Sequence, residues 1–132
     1  MTEDKKAKIL IVEDEVILSK TCADGLSDEG FEVLEARNGK EGLELALREK
    51  PDLILLDLLM PVMDGLTMAS QLRLDDWGRN VPIIILTNLS DNNKISEALK
   101  HGIFDFLVKS DWKLADMIAR VKERLSKPPE QN

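Results

Sequence analysis

Residues 53–65 read LILLDLLMPVMDG, and this stretch decides the fold class. Its first four residues form a short apolar run without a polar break, which is typical of a strand buried on both faces of a sheet. The run ends at Asp57, and Pro61 and the pair Asp64-Gly65 mark a turn ahead of an amphipathic segment. A buried strand, a polar residue, a turn and a helix in this order predict one βα unit.

The same unit recurs along the whole chain. Apolar runs that we interpret as strands buried on both faces lie at Ile9–Val12, Phe31–Ala36, Leu53–Leu56, Ile83–Leu86 and Phe106–Val108. Amphipathic stretches at helical spacing separate them, with core positions predicted at Leu43, Ala46, Leu47, Ile95, Ala98, Leu99, Leu114, Met117, Ile118, Val121 and Leu125. Five such units predict an α/β fold in which a doubly wound, parallel five-stranded sheet carries helices on both faces.

The length and composition indicate one globular domain. The chain has 132 residues, of which 43% are hydrophobic and 33% are charged, so it is too apolar for a disordered chain. Its net charge of −7 disfavours binding to nucleic acid, and its single cysteine excludes an internal disulfide. No apolar run reaches the length of a signal peptide or a membrane span. We expect a cytoplasmic domain at residues 9–126, with a tail at 1–8 and a tail or linker stub at 127–132, that binds neither membrane nor nucleic acid.

Polar residues follow four of the five apolar runs at once. Glu13 and Asp14 follow the first run, Asp57 the third, Thr87 the fourth and Lys109 the fifth. The carboxyl ends of parallel strands lie at one edge of the sheet, where open α/β sheets bind their ligands. We therefore expect three carboxylates, one hydroxyl and one ammonium to converge at this edge.

These groups are suited to phosphoryl chemistry. Three neighbouring carboxylates repel one another unless a cation lies among them, and a hard cation with oxygen ligands, such as Mg²⁺, fits best. A divalent cation, the ammonium of Lys109 and the hydroxyl of Thr87 around one carboxylate would stabilise a phosphoryl group in transfer. That carboxylate can itself be the nucleophile and form an aspartyl-phosphate.

At this point the residues match a known family. The chain resembles the receiver domain of two-component response regulators at Val12-Glu13-Asp14, at residues 57–65, at Leu86-Thr87 and at residues 102–109. Each segment alone is weak evidence, but in this order and at these separations they are specific, and the match extends from Ile9 to Leu125. The resemblance implies a flavodoxin-like (βα)5 sheet with strand order 2-1-3-4-5.

The resemblance also implies a role for each candidate site residue. Asp57 would accept a phosphoryl group from the phosphohistidine of a sensor kinase or a phosphotransfer protein. Thr87 and Lys109 would bind phosphoryl oxygens. The ligands of Mg²⁺ would be Glu13, Asp14, Asp57 and the backbone carbonyl of Leu59. Such a domain catalyses its own phosphorylation and slow dephosphorylation but is not a turnover enzyme.

A conformational switch is a further implication of the resemblance. On phosphorylation Thr87 would move toward the phosphoryl group, and the ring of Phe106 would fill the vacated space. The face made by helix four, strand five and helix five would then change shape and bind an unidentified downstream protein. The chain would be a monomer or a phosphorylation-dependent dimer. Candidate residues of this face are Ile95, Ala98, Phe106 and Trp112.

One departure from the family keeps an alternative open. Ser110 follows Lys109, where the family usually has proline after a cis peptide bond. A cis bond before a residue other than proline costs about 2.5–4 kcal/mol, so we expect either a trans bond or a strained loop. The alternative function is a degenerate receiver that binds partners without being phosphorylated.

Two other classes fit the residues less well. A phosphohydrolase of the haloacid dehalogenase type needs a second aspartate two residues after its nucleophile, and that position is Leu59. A flavodoxin-type cofactor binder needs a phosphate-binding loop after the first strand, where the acidic residues 13–15 would repel phosphate.

Overall fold

The computed structural model describes residues 6–87, 92–103, 105–110 and 113–126. The strands are β1 (Lys8–Val12), β2 (Glu32–Ala36), β3 (Leu53–Asp57), β4 (Ile83–Thr87) and β5 (Asp105–Val108). The helices are α1 (Val16–Asp28), α2 (Gly39–Glu49), α3 (Gly65–Leu72), α4 (Asn92–Lys100) and α5 (Leu114–Ser126). Some sequence expectations concern residues that the structure does not describe. These residues are Trp112 and the segments 1–5 and 127–132.

The five strands form one parallel sheet in the order β2-β1-β3-β4-β5, as predicted. The order reverses beside β1, which pairs with β2 on one side and with β3 on the other. Ligands of open α/β sheets bind at this point, outside the carboxyl ends of the strands. The fold therefore brings the residue after β1 and the end of β3 next to each other.

Alternate residues of the central strands pack into two separate cores. Ile9 and Ile11 of β1 lie in the core under α1 and α5, whereas Leu10 and Val12 lie in the core under α2, α3 and α4. This alternation follows from the two-residue period of a strand. It explains why the runs of the central strands are apolar at every position.

The predicted burial is wrong for the two edge strands and for two helix positions. β2 and β5 are only partly buried, since each has a neighbour on one side and the helices cover them incompletely. Leu47 and Leu99, assigned to the core, are 38% and 44% exposed. Both lie at the border of their helix's apolar stripe, where the spacing alone does not distinguish a core position from a partly solvated one.

Side-chain caps fix where two of the helices begin. Asn38 accepts a hydrogen bond from the backbone N–H of Glu41 at 2.9 Å and so starts α2 at Gly39. Asp64 accepts one from the N–H of Thr67 at 2.8 Å and so starts α3 at Gly65. None of the described helices has the length and apolar character needed to cross a bilayer.

A partly buried arginine joins α3 to the end of α4. The guanidinium of Arg73 donates to the carbonyl of His101 at 3.0 Å, to that of Gly78 at 2.7 Å and to that of Val81 at 2.9 Å. Burial, with a smaller contribution from the charge of Arg124, lowers the pKa of Arg73 to about 10, so the group is still a cation at neutral pH. One side chain thus satisfies two carbonyl groups of the α3–β4 connection and one at the end of α4.

Substitution of Arg73 by methionine is expected to lower the free energy of unfolding by roughly 3 kcal/mol, because three carbonyl groups lose a charged donor. Urea denaturation measures the loss. Arg79→Met is the matched control, because Arg79 is exposed and its ion-pair partner among the described residues is the exposed Asp76. Equal midpoints for the two variants would contradict the prediction.

Candidate functional site

The carboxyl edge of the sheet gathers the polar residues that the sequence singled out. Glu13 follows β1, Asp57 and Thr87 are the last residues of β3 and β4, and Lys109 follows β5. The backbone N–H of Lys109 donates to the carbonyl of Thr87 at 2.7 Å, which fixes the start of the β5–α5 loop against β4. No described peptide bond is cis, so Lys109 and Ser110 are joined by a trans bond.

Three carboxylates meet at this edge. Glu13, Asp14 and Asp57 each offer an oxygen, and these oxygens lie within 4.8 Å of one another. Glu13 is fully buried and Asp57 is 4% exposed, whereas Asp14 is open to solvent. The cluster is therefore buried at its inner end, at Glu13 and Asp57, and open to solvent at Asp14.

Lys109 lies among the carboxylates as their counter-ion. Its ammonium is 3.0 Å from Glu13 Oε1, 3.2 Å from Asp57 Oδ2 and 3.2 Å from Glu15 Oε1. The Lys109 side chain is 14% exposed, so these interactions are only partly screened by water.

Burial dominates the electrostatics of the site. It raises the pKa of Glu13 to about 7, with the charge of Asp57 adding to the effect and the N–H of Glu15 and the ammonium of Lys109 opposing it. Burial also raises the pKa of Asp57, although Lys109 and the N–H of Leu59 oppose the change. Burial alone would lower the pKa of Lys109, but the attraction of Glu13 and Asp57 exceeds it and the pKa rises. The site therefore has an excess of negative charge that one ammonium does not balance.

The residues fit a hard divalent cation. Glu13 Oε1 is buried, and although the Lys109 ammonium lies 3.0 Å from it, no described donor reaches it in hydrogen-bond geometry. A buried oxygen without a hydrogen bond is costly, and a bound cation or water would satisfy it. Three clustered carboxylates, one of them with an unsatisfied oxygen, match the oxygen ligands that Mg²⁺ prefers.

The family-model comparison decides the classification of the chain. Residues 9–122 match the model described as the response regulator receiver domain. The chain belongs to this family.

Individual relatives agree with this assignment. The receiver domain is 38% identical over 125 residues to the response regulator ArlR of Staphylococcus saprophyticus, an alignment that covers 95% of this chain and 55% of that protein. The signal receiver domain of a signal transduction histidine kinase from Syntrophus aciditrophicus is 35% identical, with a TM-score of 0.82 over 91% of this chain and 90% of that chain. The receiver domain of the sensor histidine kinase PA1611 from Pseudomonas aeruginosa is 28% identical, with a TM-score of 0.84 over 93% and 100% of the two chains. That structure has a magnesium ion coordinated in its active-site cleft.

The chain spans about half the length of the curated relatives it matches. Two-component response regulators are thus the class of protein to which this receiver domain is similar, while the activities of the longer relatives belong to those proteins.

The loop after Asp57 is held closely against the sheet. Gly65 donates its N–H to the carbonyl of Leu58 at 3.0 Å, and a Cβ on Gly65 would lie 2.3 Å from the carbonyl oxygen of Asp57. Only glycine permits this approach, which places the start of α3 beside the predicted acceptor. Leu59, predicted to supply a carbonyl ligand, donates its N–H to Asp57 Oδ1 at 3.4 Å and exposes its side chain.

The same loop contains a strained residue. Val62 has a φ of 70°, in the left-handed region that β-branched residues rarely adopt, and the N–H of Met63 donates to the carbonyl of Pro61 at 2.7 Å across it. The carbonyl of Met63 in turn accepts the N–H of Gly39 at 2.8 Å. The beginning of α2 therefore supports the loop from outside the site.

The predicted switch residues differ in their burial. Thr87 is 2% exposed at the end of β4, and the half-buried Phe106 packs against the core beneath α2, α3 and α4. Of the residues assigned to the output face, Ala98 is fully buried and cannot contact a partner, because its methyl group faces the sheet rather than solvent. Ile95 is half-buried.

Sequence reasoning missed two residues that contact the site. Glu15 reaches Lys109 directly, and Arg37 donates to Ser19 Oγ at 2.8 Å, to Glu35 Oε1 at 3.0 Å and to the carbonyl of Glu13 at 3.5 Å. The sequence does contain a signal for Arg37, because this polar residue directly follows the apolar run Phe31–Ala36. Only the other four runs were used to predict which polar residues converge. A signal for Glu15 was its place directly after the Glu13-Asp14 pair.

Proposed function

We propose that this receiver domain accepts a phosphoryl group on Asp57, in a magnesium-dependent transfer from the phosphohistidine of a sensor kinase or a phosphotransfer protein. The observation that carries the proposal is the position of Asp57, whose Oδ2 lies 3.2 Å from the Lys109 ammonium within a cluster of three carboxylates. Residues 9–126 form the domain in this proposal, with tails at 1–8 and 127–132.

Glu13, Asp14, Asp57 and the backbone carbonyl of Leu59 would hold Mg²⁺. When bound, the ion supplies positive charge that offsets the repulsion between the carboxylates and the incoming phosphoryl group. Glu13 would provide a buried ligand oxygen and Asp14 a solvent-exposed one.

The residues of the chain then carry out the transfer. A carboxylate oxygen of Asp57 attacks the phosphorus, and the bond from phosphorus to the donor breaks with its electron pair leaving on the donor. The ammonium of Lys109 binds a phosphoryl oxygen and stabilises the charge that develops in the transition state. The hydroxyl of Thr87 donates to another phosphoryl oxygen, and this contact shifts Thr87 and lets the ring of Phe106 turn inward.

The output of this switch is a change in the face formed by α4, β5 and α5. Ile95 and Phe106 are the described residues that we assign to it. A downstream protein or a second copy of the chain would bind the altered face, so the domain is a monomer or a phosphorylation-dependent dimer.

Incubation with acetyl phosphate and Mg²⁺, followed by intact-mass measurement, tests the proposed function. We expect the chain to gain one phosphoryl group, and we expect no gain when a chelator removes the metal. Failure to form the adduct in the presence of Mg²⁺ would contradict the proposal and favour a degenerate receiver.

Magnesium affinity is expected to depend on pH near neutrality. Because the pKa of Glu13 is raised to about 7, a proton competes with the metal for this carboxylate below that value. Lowering the pH from about 8 to about 6 should weaken the affinity roughly tenfold, as measured by isothermal titration calorimetry. Glu13→Gln should bind Mg²⁺ more weakly, and its affinity should depend less on pH than that of wild type. Equal wild-type affinities at the two pH values would contradict this expectation.

A further inference from the structure

Glu15 makes a contact that neither the fold nor the metal cluster explains. Its Oε1 accepts a hydrogen bond from Lys109 Nζ at 3.2 Å, although the two residues are 94 positions apart in the sequence. Glu15 precedes α1, while Lys109 follows β5. The contact therefore joins two loops at the opening of the acidic cluster.

The backbone and the side chain of Glu15 have different partners. The N–H of Glu15 donates to Glu13 Oε2 at 3.0 Å, which fixes the residue beside the buried carboxylate. Glu15 is also the N-cap residue of α1, but its side chain makes no capping hydrogen bond. The side chain thus does not cap the helix and extends to Lys109 instead.

The pair contributes little to folding. The Glu15 side chain is 63% exposed, and an ion pair this open to water is worth about 0.2–1 kcal/mol. The other two partners of Lys109 are almost completely buried, with side-chain exposures of 0% for Glu13 and 5% for Asp57. Among the described partners, Glu15 is therefore the one that water or an anion displaces most easily.

Three carboxylate oxygens lie within 3.2 Å of the Lys109 ammonium. Of these described oxygens, Glu15 Oε1 is the one that accepts a hydrogen bond from it. A phosphoryl oxygen that binds this ammonium therefore competes with Glu15 for the donor. Glu15 also adds a negative charge that repels an approaching phosphoryl donor.

We propose that Glu15 is a displaceable partner of Lys109 that slows acceptance of the phosphoryl group and leaves the ammonium when that group arrives. The inference rests on the proposed function. With acetyl phosphate as donor, an oxygen of Asp57 forms a bond to phosphorus, the bond from phosphorus to the acetyl oxygen breaks, and acetate leaves with the electron pair. Glu15 takes no part in the bond changes and acts by positioning Lys109.

The test compares initial rates of adduct formation with acetyl phosphate at saturating Mg²⁺, measured by intact mass. Glu15→Ala removes both the charge and the contact, whereas Glu15→Asp keeps the charge but shortens the side chain beyond reach of Lys109. We expect both variants to react about two- to fivefold faster than wild type, the range that the strength of an exposed ion pair allows. Glu32→Gln is the control for net charge, because Glu32 is exposed at the amino end of β2, at the opposite edge of the sheet.

The outcomes separate the inference from the function on which it rests. Wild-type phosphorylation with Glu15→Ala no faster than wild type would overturn the role of Glu15 and leave the proposed function intact. Acceleration in Glu15→Ala but not in Glu15→Asp would also overturn it, since the charge and not the contact would then be responsible. Absence of an adduct on every variant and on wild type would overturn both.

Discussion

Replacement of Asp57 by asparagine is expected to abolish the phosphoryl adduct completely. The amide has nearly the same shape as the carboxylate but no nucleophilic oxygen anion, so the site keeps its geometry and loses its acceptor. Intact-mass measurement after incubation with acetyl phosphate and Mg²⁺ gives the result. Asp24→Asn, an exposed change on α1, is the matched control and should form the adduct as wild type does.

The same substitution should make the metal-free protein more stable. Burial raises the pKa of Asp57, which means that the folded domain disfavours the ionised form. The stability of wild type therefore falls as the pH rises from the pKa of the unfolded carboxyl through that of the folded one. Asparagine removes this loss, and we expect the variant to be more stable than wild type at neutral pH, with a difference that shrinks in acid. An adduct that persists on Asp57→Asn would contradict the assignment of the acceptor.

Replacement of Lys109 by methionine should slow adduct formation by at least about 100-fold, the usual effect of removing one group that stabilises developing charge. Methionine keeps most of the length and volume of the side chain, so the loss reports on the ammonium. The time course of intact mass with acetyl phosphate measures it. Lys40→Met, on the exposed surface of α2, removes the same charge far from the proposed chemistry and should react like wild type.

Magnesium affinity is the second readout for Lys109→Met. We expect the affinity to increase in this variant, whereas the rate of adduct formation falls. The ammonium lies 3.0 Å from Glu13 and 3.2 Å from Asp57, so it competes with a cation for the same oxygens. Calorimetry should therefore show tighter Mg²⁺ binding in Lys109→Met than in wild type. A variant that bound Mg²⁺ more weakly and reacted at the wild-type rate would contradict the role of Lys109.

The sequence was sufficient to predict the sheet and the edge where the site lies. The central strands are buried on both faces, so their apolar runs at residues 9–12, 53–56 and 83–86 are unbroken. The polar residue directly after each run marks the carboxyl end of the strand, and parallel pairing brings these ends together. Convergence of Glu13, Asp57 and Lys109 follows from topology without any knowledge of side-chain contacts.

What the sequence did not predict depends on individual side chains. The partner of Lys109 at Glu15 is set by the path of two loops far apart in the chain, and no spacing rule connects them. The exposure of Leu47 and Leu99 depends on how closely their helices approach the sheet, which the helical period does not fix. Ala98 was predicted both as a core position of helix four and as a residue of the output face, and its complete burial confirms the first prediction and shows that the second is wrong.

The hydrogen bond from Arg73 to the carbonyl of His101 has a mechanical consequence. It fixes the carboxyl end of α4 to the connection between α3 and β4, at the edge of the sheet remote from Asp57. We therefore expect any displacement of α4 to be a rotation about this end, with the largest amplitude at Asn92, about 12 Å away along the helix axis. Asn92 is the end of α4 that follows β4 and Thr87, so a small shift there is enough to tilt the whole helix.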